Sequence, residues 1–143
     1  MVTGGLGEEG LFLNSSELFK EGSWIPGPEL PFLLHNNNHC QVQAGGKVII
    51  TGGRSNGSEL KNTLVLEGDQ WMEVGSLTRA RNFHACAVLS GKVYSIGGES
   101  GDIQSSVEVY DPVTQNWSYG PEGLSIEQAI TFDNNLYVLG GNT

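Results

Sequence analysis

The stretch VEVYDPVTQNW, residues 107–117, combines a strand, a turn and the start of another strand. Apolar and acidic side chains alternate over Val107, Glu108 and Val109, which is the period of a β-strand, and an aromatic residue follows. Pro112 then indicates a turn, because proline has no backbone N–H to give to a sheet and fixes its own φ. Trp117 begins the next strand. Weaker copies of this unit occur elsewhere in the chain, and their spacing predicts the fold.

Two kinds of marker recur along the chain at one spacing. Diglycines that end apolar runs are separated by 48, 45 and 43 residues, and the tryptophans by 47 and 46 residues. Each tryptophan follows the preceding diglycine by 18 or 19 residues. Self-similarity at a fixed period of this length is typical of repeat proteins. The markers are Gly4-Gly5, Gly52-Gly53, Gly97-Gly98 and Gly140-Gly141, together with Trp24, Trp71 and Trp117.

Each full repeat contains four short runs that favour strands. The run before each diglycine is rich in β-branched and aromatic residues, as in KVIITGG at residues 47–53, which is typical of a strand buried on both faces. The strand before it ends in Gly, Asn or Asp, residues that suit the positive φ of a hairpin turn. A third strand and a tryptophan-bearing fourth strand follow, and no segment has a helical period. Four strands in about 45 residues predict an all-β fold with one propeller blade per repeat.

This set of markers resembles the Kelch repeat, whose pattern is Arg-x-x-His, a diglycine, Tyr-Asp-Pro and a Trp. The third repeat carries the whole pattern in Arg81, His84, Gly97, Gly98, Tyr110, Asp111, Pro112 and Trp117. The second repeat has Asn36 in the Arg place and Leu66 in the Tyr place, and the partial fourth repeat has Leu124 and Glu127 for Arg and His. The resemblance implies a Kelch-type β-propeller whose blades are built by Gly52, Gly53, Trp71, Gly97, Gly98, Tyr110 and Trp117.

The repeat phase also divides the chain into blades. We expect about three blades of a larger, six-bladed ring, because propellers close with roughly four to eight blades. The chain is then an excerpt from a longer protein, or its two ends pair with those of a second copy in a head-to-tail homodimer that completes the ring. The predicted division is 1–27 for the end of a first blade, 28–76 for the second, 77–122 for the third and 123–143 for the start of a fourth.

The net charge and the number of cysteines limit which kinds of partner and which cellular compartment are expected. The 143 residues carry 7 Lys and Arg against 16 Asp and Glu, a net charge of −9, which argues against nucleic acid or an anionic membrane as the main partner. Cys40 and Cys86 are too few for a disulfide framework or a metal cluster, so we expect two buried small side chains. These two thiols and the absence of a recognisable signal peptide favour the cytoplasm slightly and leave an extracellular site open.

No combination of residues predicts catalysis, a metal or a cofactor. His39 and His84 occupy the same place in consecutive repeats, which indicates blade structure near the inner channel, and His35 lies in an Asn-rich loop where we expect it to be solvated. HExxH does not occur, and GxSxG occurs once, at residues 53–57, where no helical period follows it as a nucleophile elbow would require. We therefore expect a non-catalytic module that binds a protein or peptide partner. The alternative is a fragment of a propeller enzyme, carbohydrate-acting or oxidising, whose active residues lie outside this chain.

The strand order predicts where a partner binds. In an antiparallel blade the loops after strands two and four lie at one end, and the turns after strands one and three lie at the other. The first set is long, and long loops on a rigid scaffold usually carry function. Kelch propellers similar to this chain often bind peptide segments there through Arg and Ser, which implies partner contacts for Arg54, Ser55 and Arg79. Arg81 matches the structural arginine of the repeat.

Overall fold

The computed structural model describes residues 1–34, 39–122 and 128–140, and every regular element in them is a β-strand. The predicted runs of strand and turn thus form antiparallel sheets, in agreement with the predicted all-β class. The strands are β1 (Val2–Thr3), β2 (Ser16–Lys20), β3 (Ser23–Pro26), β4 (Cys40–Ala44), β5 (Lys47–Thr51), β6 (Arg54–Ser55), β7 (Ser58–Glu59), β8 (Thr63–Glu67), β9 (Gln70–Glu73), β10 (Ala85–Leu89), β11 (Lys92–Ile96), β12 (Glu99–Ser100), β13 (Asp102–Ile103), β14 (Val107–Asp111), β15 (Asn116–Tyr119), β16 (Gln128–Phe132) and β17 (Asn135–Leu139).

Two of the sheets are complete four-stranded blades. The second blade has the order β4-β5-β8-β9 and the third has β10-β11-β14-β15, both antiparallel throughout. The first blade contributes β1-β2-β3 and the fourth contributes β16-β17. The four-stranded blade is therefore confirmed, and the number of blades in a closed ring stays a prediction. The hairpins β6-β7 and β12-β13, inserted between strands two and three of their blades, were not predicted, because two-residue strands show no period.

The tight turns between strands one and two have the backbone that their residues predicted. Successive positive φ angles occur at Gly45 and Gly46 (58° and 74°) and at Ser90 and Gly91 (50° and 75°). Two successive positive φ values define a type I′ turn, whose twist matches that of the flanking strands. The turns thereby fix the register of each hairpin, and with it the face on which every side chain lies.

The diglycine after strand two lies against the next blade. Gly52 has a φ of 59°, and a Cβ placed on it would stand 2.5 Å from the carbonyl oxygen of Arg81 and 2.7 Å from Cε1 of His84. Gly53 donates its N–H to the same carbonyl oxygen at 2.8 Å. Only glycine allows both this backbone conformation and this approach. The second blade can therefore lie this close to the segment that leads into the third.

The apolar core lies between the blades. Residues from both facing sheets form the cluster between the second and third blades, namely Ala44, Ile49, Val65, Val93 and Tyr110. Trp117 extends this contact, because its Nε1–H donates to Thr63 Oγ1 at 2.9 Å and to the Gly75 carbonyl at 3.1 Å. Trp71 makes the equivalent bond to the Pro28 carbonyl at 3.1 Å. Each of these tryptophans thus ties its own blade to the blade before it.

The outer faces of the first and fourth blades have no neighbour among the described residues. Trp24, which occupies the place of Trp71 and Trp117, is 53% exposed and packs against Phe19 with ring centroids 5.2 Å apart. At the other end Phe132 is 70% exposed and Leu139 56%. Apolar side chains that are buried in the middle blades are therefore open to solvent at both ends.

The expectation that the two cysteines are unpaired and buried is wrong. Cys40 and Cys86 form a disulfide with their Cα atoms 6.1 Å apart, and both side chains are partly exposed. The reason lies in the repeat: the two residues are 46 positions apart, whereas the corresponding diglycines, Gly52-Gly53 and Gly97-Gly98, are 45 apart. The offset of one residue turns the second side chain to the opposite face of its strand. On neighbouring innermost strands, the two sulfur atoms consequently face each other.

The close approach at Gly52 predicts that alanine is more destabilising there than at a glycine with the same φ and no close neighbour. Gly68 also has a φ of 59°, but a Cβ there would meet nothing within 4 Å. We expect Gly68→Ala to lower the free energy of unfolding by about 1–2 kcal/mol, the cost of a left-handed backbone for alanine. Gly52→Ala should cost about 1–3 kcal/mol more, because its methyl group must displace Arg81 and His84. Urea denaturation of both variants measures the difference, and equal losses would contradict the proposed contact.

Candidate partner-binding face

The long loops of the second and third blades meet at one end of the molecule. This loop face consists, in the described residues, of the hairpin β6-β7, the segment 76–82 and the hairpin β12-β13. Arg81 donates its N–H to the Leu60 carbonyl at 3.0 Å, which joins the segment to the second blade. Asn82 and Glu99 exchange two backbone hydrogen bonds of 3.0 Å, which join it to the third. The three pieces are therefore one hydrogen-bonded surface.

Below this surface lies a fully buried ion pair. Arg81 and Glu108 have no exposed side-chain area, and Nη2 of Arg81 donates to Oε1 of Glu108 at 2.8 Å. The guanidinium also donates to the carbonyls of Gly97 (2.9 Å) and Ser106 (3.0 Å). Burial lowers the pKa of Arg81, and the Glu108 carboxylate opposes that shift. An arginine keeps its proton in such surroundings, so the pair is ionic at neutral pH.

The Glu108 carboxylate also binds the backbone of the loop face. It accepts backbone N–H groups from Thr78 (2.6 Å) and from Arg79 (3.1 Å). Charge-assisted hydrogen bonds of this kind are stronger than those between neutral groups. The backbone from which the Arg79 side chain projects is consequently held in place by a buried anion.

The three residues predicted to contact a partner differ in how far their side chains are exposed. Arg54 lies in β6 with 39% of its side chain exposed, and its Nη2 donates to the Gly57 carbonyl at 3.1 Å. Arg79 has 46% of its side chain exposed. Ser55 lies in the same hairpin as Arg54 but is only 7% exposed. The structure thus presents both arginines at the loop face, and a contact from Ser55 to a partner stays a prediction.

Both exposed arginines have long ion pairs with acidic neighbours. Nε of Arg54 lies 3.9 Å from Glu59, and Nη2 of Arg79 lies 3.6 Å from Asp102. Exposed pairs of this kind contribute about 0–1 kcal/mol, since water screens the charges. The carboxylate of another molecule can therefore replace either acidic partner at little cost.

Two features of this face were missed by sequence reasoning. Phe83 has a φ of 49° and is 53% exposed, a conformation that is unusual for a bulky residue. Its position between Arg81 and His84 of the repeat motif was the one sequence feature that could have indicated a place on this face. Asn82 and Gln104 are buried, yet Oδ1 of the first and Oε1 of the second have no hydrogen-bond partner among the described residues. Nothing in the local sequence of Gln104 indicates its burial.

The two repeated histidines form equivalent links at the inner channel. Nε2 of His39 lies 3.0 Å from Oγ1 of Thr3, and Nε2 of His84 lies 3.1 Å from Oγ1 of Thr51. In each case the threonine belongs to the preceding blade, so the blade-structure interpretation of these histidines agrees with the geometry. In the part of the chain that the structure describes, no three His, Cys, Asp or Glu side chains are grouped as metal ligands. His35, Asn36, Leu124, Glu127 and Gly141, also discussed from the sequence, lie outside the described residues.

His84 makes the stability of the chain depend on pH. Burial, helped by the positive charge of Arg81 and by an electrostatic interaction with His39, lowers its pKa to about 3 from the usual 6.5, so it is neutral in the fold. The unfolded chain binds a proton that the folded chain does not, and the stabilisation is complete above pH 6.5 and lost as pH falls toward 3. Between pH 7 and pH 5 we expect this residue to lower the free energy of unfolding by about 2 kcal/mol.

Denaturant titrations at pH 7 and pH 5 measure this loss in the parent chain and in His84→Gln, which cannot take up the proton. The variant should lose about 2 kcal/mol less than the parent over the same interval. NMR titration of His84 in the parent chain gives an independent reading, with no protonation expected down to pH 4. A midpoint near 6.5, or the same pH dependence in both chains, would contradict the assignment.

Comparison with known proteins supports the repeat family. The Kelch motif profile matches residues 80–123. The chain is 29% identical over 127 residues to Kelch-like protein 23 of Mus musculus and 31% identical over 131 residues to Kelch-like protein 36 of Bos taurus, with 83% of this chain covered in each case. It is 34% identical over 113 residues, 74% of its length, to a putative F-box/kelch-repeat protein of Arabidopsis thaliana. The aligned regions cover 23%, 21% and 30% of those proteins, so the chain spans less than a third of each.

A solved structure supports the fold. The chain superposes on YjhT with a TM-score of 0.76 at 15% identity, covering 90% of this chain and 51% of that one. At this identity the likeness concerns the fold alone. Among the described residues no helix is long and apolar enough to cross a membrane. The repeated markers, the four-stranded blades and these matches agree, and the chain belongs to the Kelch repeat family as part of a Kelch-type β-propeller.

Proposed function

We propose that this chain is a non-catalytic protein-interaction module that binds a carboxylate-bearing segment of a protein or peptide across the loop face. The observation that carries the proposal is the pair of exposed arginines, Arg54 and Arg79, on loops that are fixed to the blades beneath them. The ion pair of each with an acidic neighbour is long, 3.9 Å for Arg54 and 3.6 Å for Arg79. Arginine binds carboxylates through two parallel hydrogen bonds, which gives both orientation and affinity.

The rest of the loop face suits such a segment. Glu108 holds the backbone of Arg79, so little order has to be gained there when a partner binds. Phe83 offers an exposed aromatic surface four residues after Arg79, and aromatic and arginine side chains dominate the energy of most protein interfaces. The names of the similar proteins, Kelch-like and F-box/kelch-repeat, describe repeat proteins and add no partner. The alternative of a propeller enzyme requires residues outside this chain, and no observation made on it favours that alternative.

A displayed library of random peptides, selected on the 143-residue chain, tests the proposal. We expect selected sequences enriched in Asp and Glu, with affinity that falls as salt rises because the contacts are ionic. The double variant Arg54→Ala/Arg79→Ala should weaken binding of a selected peptide at least tenfold, about 1.4 kcal/mol.

The matched control is Lys47→Ala/Lys92→Ala, which removes the same charge from the opposite end. Lys47 pairs with Glu67 and Lys92 with Asp111, at the tight turns after strands one and three. Isothermal titration calorimetry should give the control variant nearly the affinity of the parent chain. Equal losses in the two double variants would show a general charge effect and would overturn the proposed face.

The head-to-tail homodimer is a separate proposal about assembly. The exposed faces of the first and fourth blades, at Trp24 and at Phe132 and Leu139, are surfaces that neighbouring strands cover in the middle blades. Pairing of β16-β17 of one copy with β2-β3 of another, where β17 takes the edge of β2 that β1 occupies in the single chain, would complete a four-stranded blade at each junction. Light scattering coupled to size exclusion measures the mass of the 143-residue chain. We expect twice the chain mass of 15.3 kDa, and a folded monomer would contradict the dimer without affecting the loop face.

A further inference from the structure

The Cys40–Cys86 disulfide lies where two blades meet at the inner channel. Cys40 is the first residue of β4 and Cys86 the second residue of β10, and these are the innermost strands of the second and third blades. Both strands begin at the loop-face end. The Cα separation of 6.1 Å is within the ordinary range for disulfides. The bond therefore joins two strands that are neighbours in any case, and the fold accommodates it without a special backbone arrangement.

We propose that Cys40 and Cys86 form a thiol–disulfide exchange site, open to a small thiol of the glutathione class, which links or releases the two innermost strands. In the reducing direction, a thiolate attacks one sulfur, the Cys40–Cys86 bond breaks, and the other sulfur leaves as a thiolate that takes up a proton. A second small thiol then displaces the first. The products are two cysteine thiols and one small-molecule disulfide, and a small-molecule disulfide drives the reverse reaction.

The next blade interface shows that packing does not require the bond. In the repeat register Cys40 pairs with Thr51 and Ala85 pairs with Ile96, each directly before a diglycine, so Ala85 occupies the place of Cys40. Likewise Ala129 occupies the place of Cys86. Cys86 pairs with Ser95, two residues before Gly97, and Ala129 pairs with Val138, two residues before Gly140. The third and fourth blades thus meet with two alanines where the second and third have two cysteines.

Other contacts hold the same two blades together when the bond is open. The Thr51–His84 hydrogen bond (3.1 Å) lies beside the disulfide, and the Trp117–Thr63 bond (2.9 Å) lies on the outer strands. Neither contact involves a sulfur atom. Reduction should therefore loosen the inner edge of the interface while the blades stay folded, which is what a reversible site requires.

A small thiol can also reach the site. Both cysteine side chains are partly exposed, unlike the neighbouring Ala85 and Ala87, which are 6% exposed.

The test uses the 143-residue chain in glutathione buffers that run from reducing to oxidising at neutral pH. Free thiols are alkylated at equilibrium and counted by mass spectrometry. We expect two free thiols at the reducing end, none at the oxidising end, and the same curve from either starting state. Reduction should also lower the Tm by roughly 5–15 °C, because the open bond no longer restricts the unfolded chain.

The control is the double variant Cys40→Ala/Cys86→Ala, which copies the Ala85 and Ala129 pair. It should fold, with a Tm equal to that of the reduced parent chain and unchanged by glutathione. Two free thiols at the most oxidising ratio would overturn the proposal, and so would a disulfide that glutathione cannot reduce without denaturant. The thiol count depends on the parent chain alone, so it decides the question even if the double variant folds poorly.

Discussion

The buried contact between Arg81 and Glu108 is the interaction on which the described surface depends. The backbone of Arg81 is bonded to the second blade, through the Leu60 carbonyl and the Gly53 N–H, whereas its side chain is bonded entirely to the third. One residue thus joins two sheets. A charge with no exposure is tolerated here because its counter-charge lies 2.8 Å away and both terminal nitrogens of the guanidinium donate to oxygen atoms of the third blade. The position of the loop between the blades follows from that requirement.

The repeat extends this arrangement from one interface to the next. The diglycines allow close approach, the tryptophans donate hydrogen bonds to the preceding blade, and the Thr–His links close the inner edge. Because the same residues recur about every 45 positions, each blade makes the same kinds of contact with its neighbour. The interfaces are nevertheless not identical, and the places where they differ, such as the cysteine pair, are where individual properties arise.

The sequence predicted the strands, the tight turns and the identity of the residues that build the blades. Those features depend on local chemistry: β-branched residues in strands, and Gly, Asn or Asp where φ must be positive. The disulfide was missed because it depends on a one-residue offset between two strands 46 positions apart. Glu108 was missed for a related reason. In VEVYD it alternates like a solvated residue, but an arginine 27 positions earlier makes its complete burial possible.

The candidate site was predicted in part, for similar physical reasons. The topology placed Arg54 and Arg79 on the loop face, and the structure leaves both exposed. The burial of Ser55 and the left-handed backbone of Phe83 follow from the way the loops close over the blades, which no local pattern shows. Loop conformations depend on contacts from several repeats at once, and for that reason residue type indicates much less about them than about strands.

The tryptophan bonds give the array a direction. Each indole donates to the blade before its own, so the third blade is attached to the second and the second to the first, while Trp24 donates to no blade that the structure describes. Amide hydrogens should therefore exchange most slowly on either side of the junction between the second and third blades, where the indole, imidazole and guanidinium contacts coincide. The outermost strands at both ends would exchange first, so local opening would begin at the ends and reach this junction last.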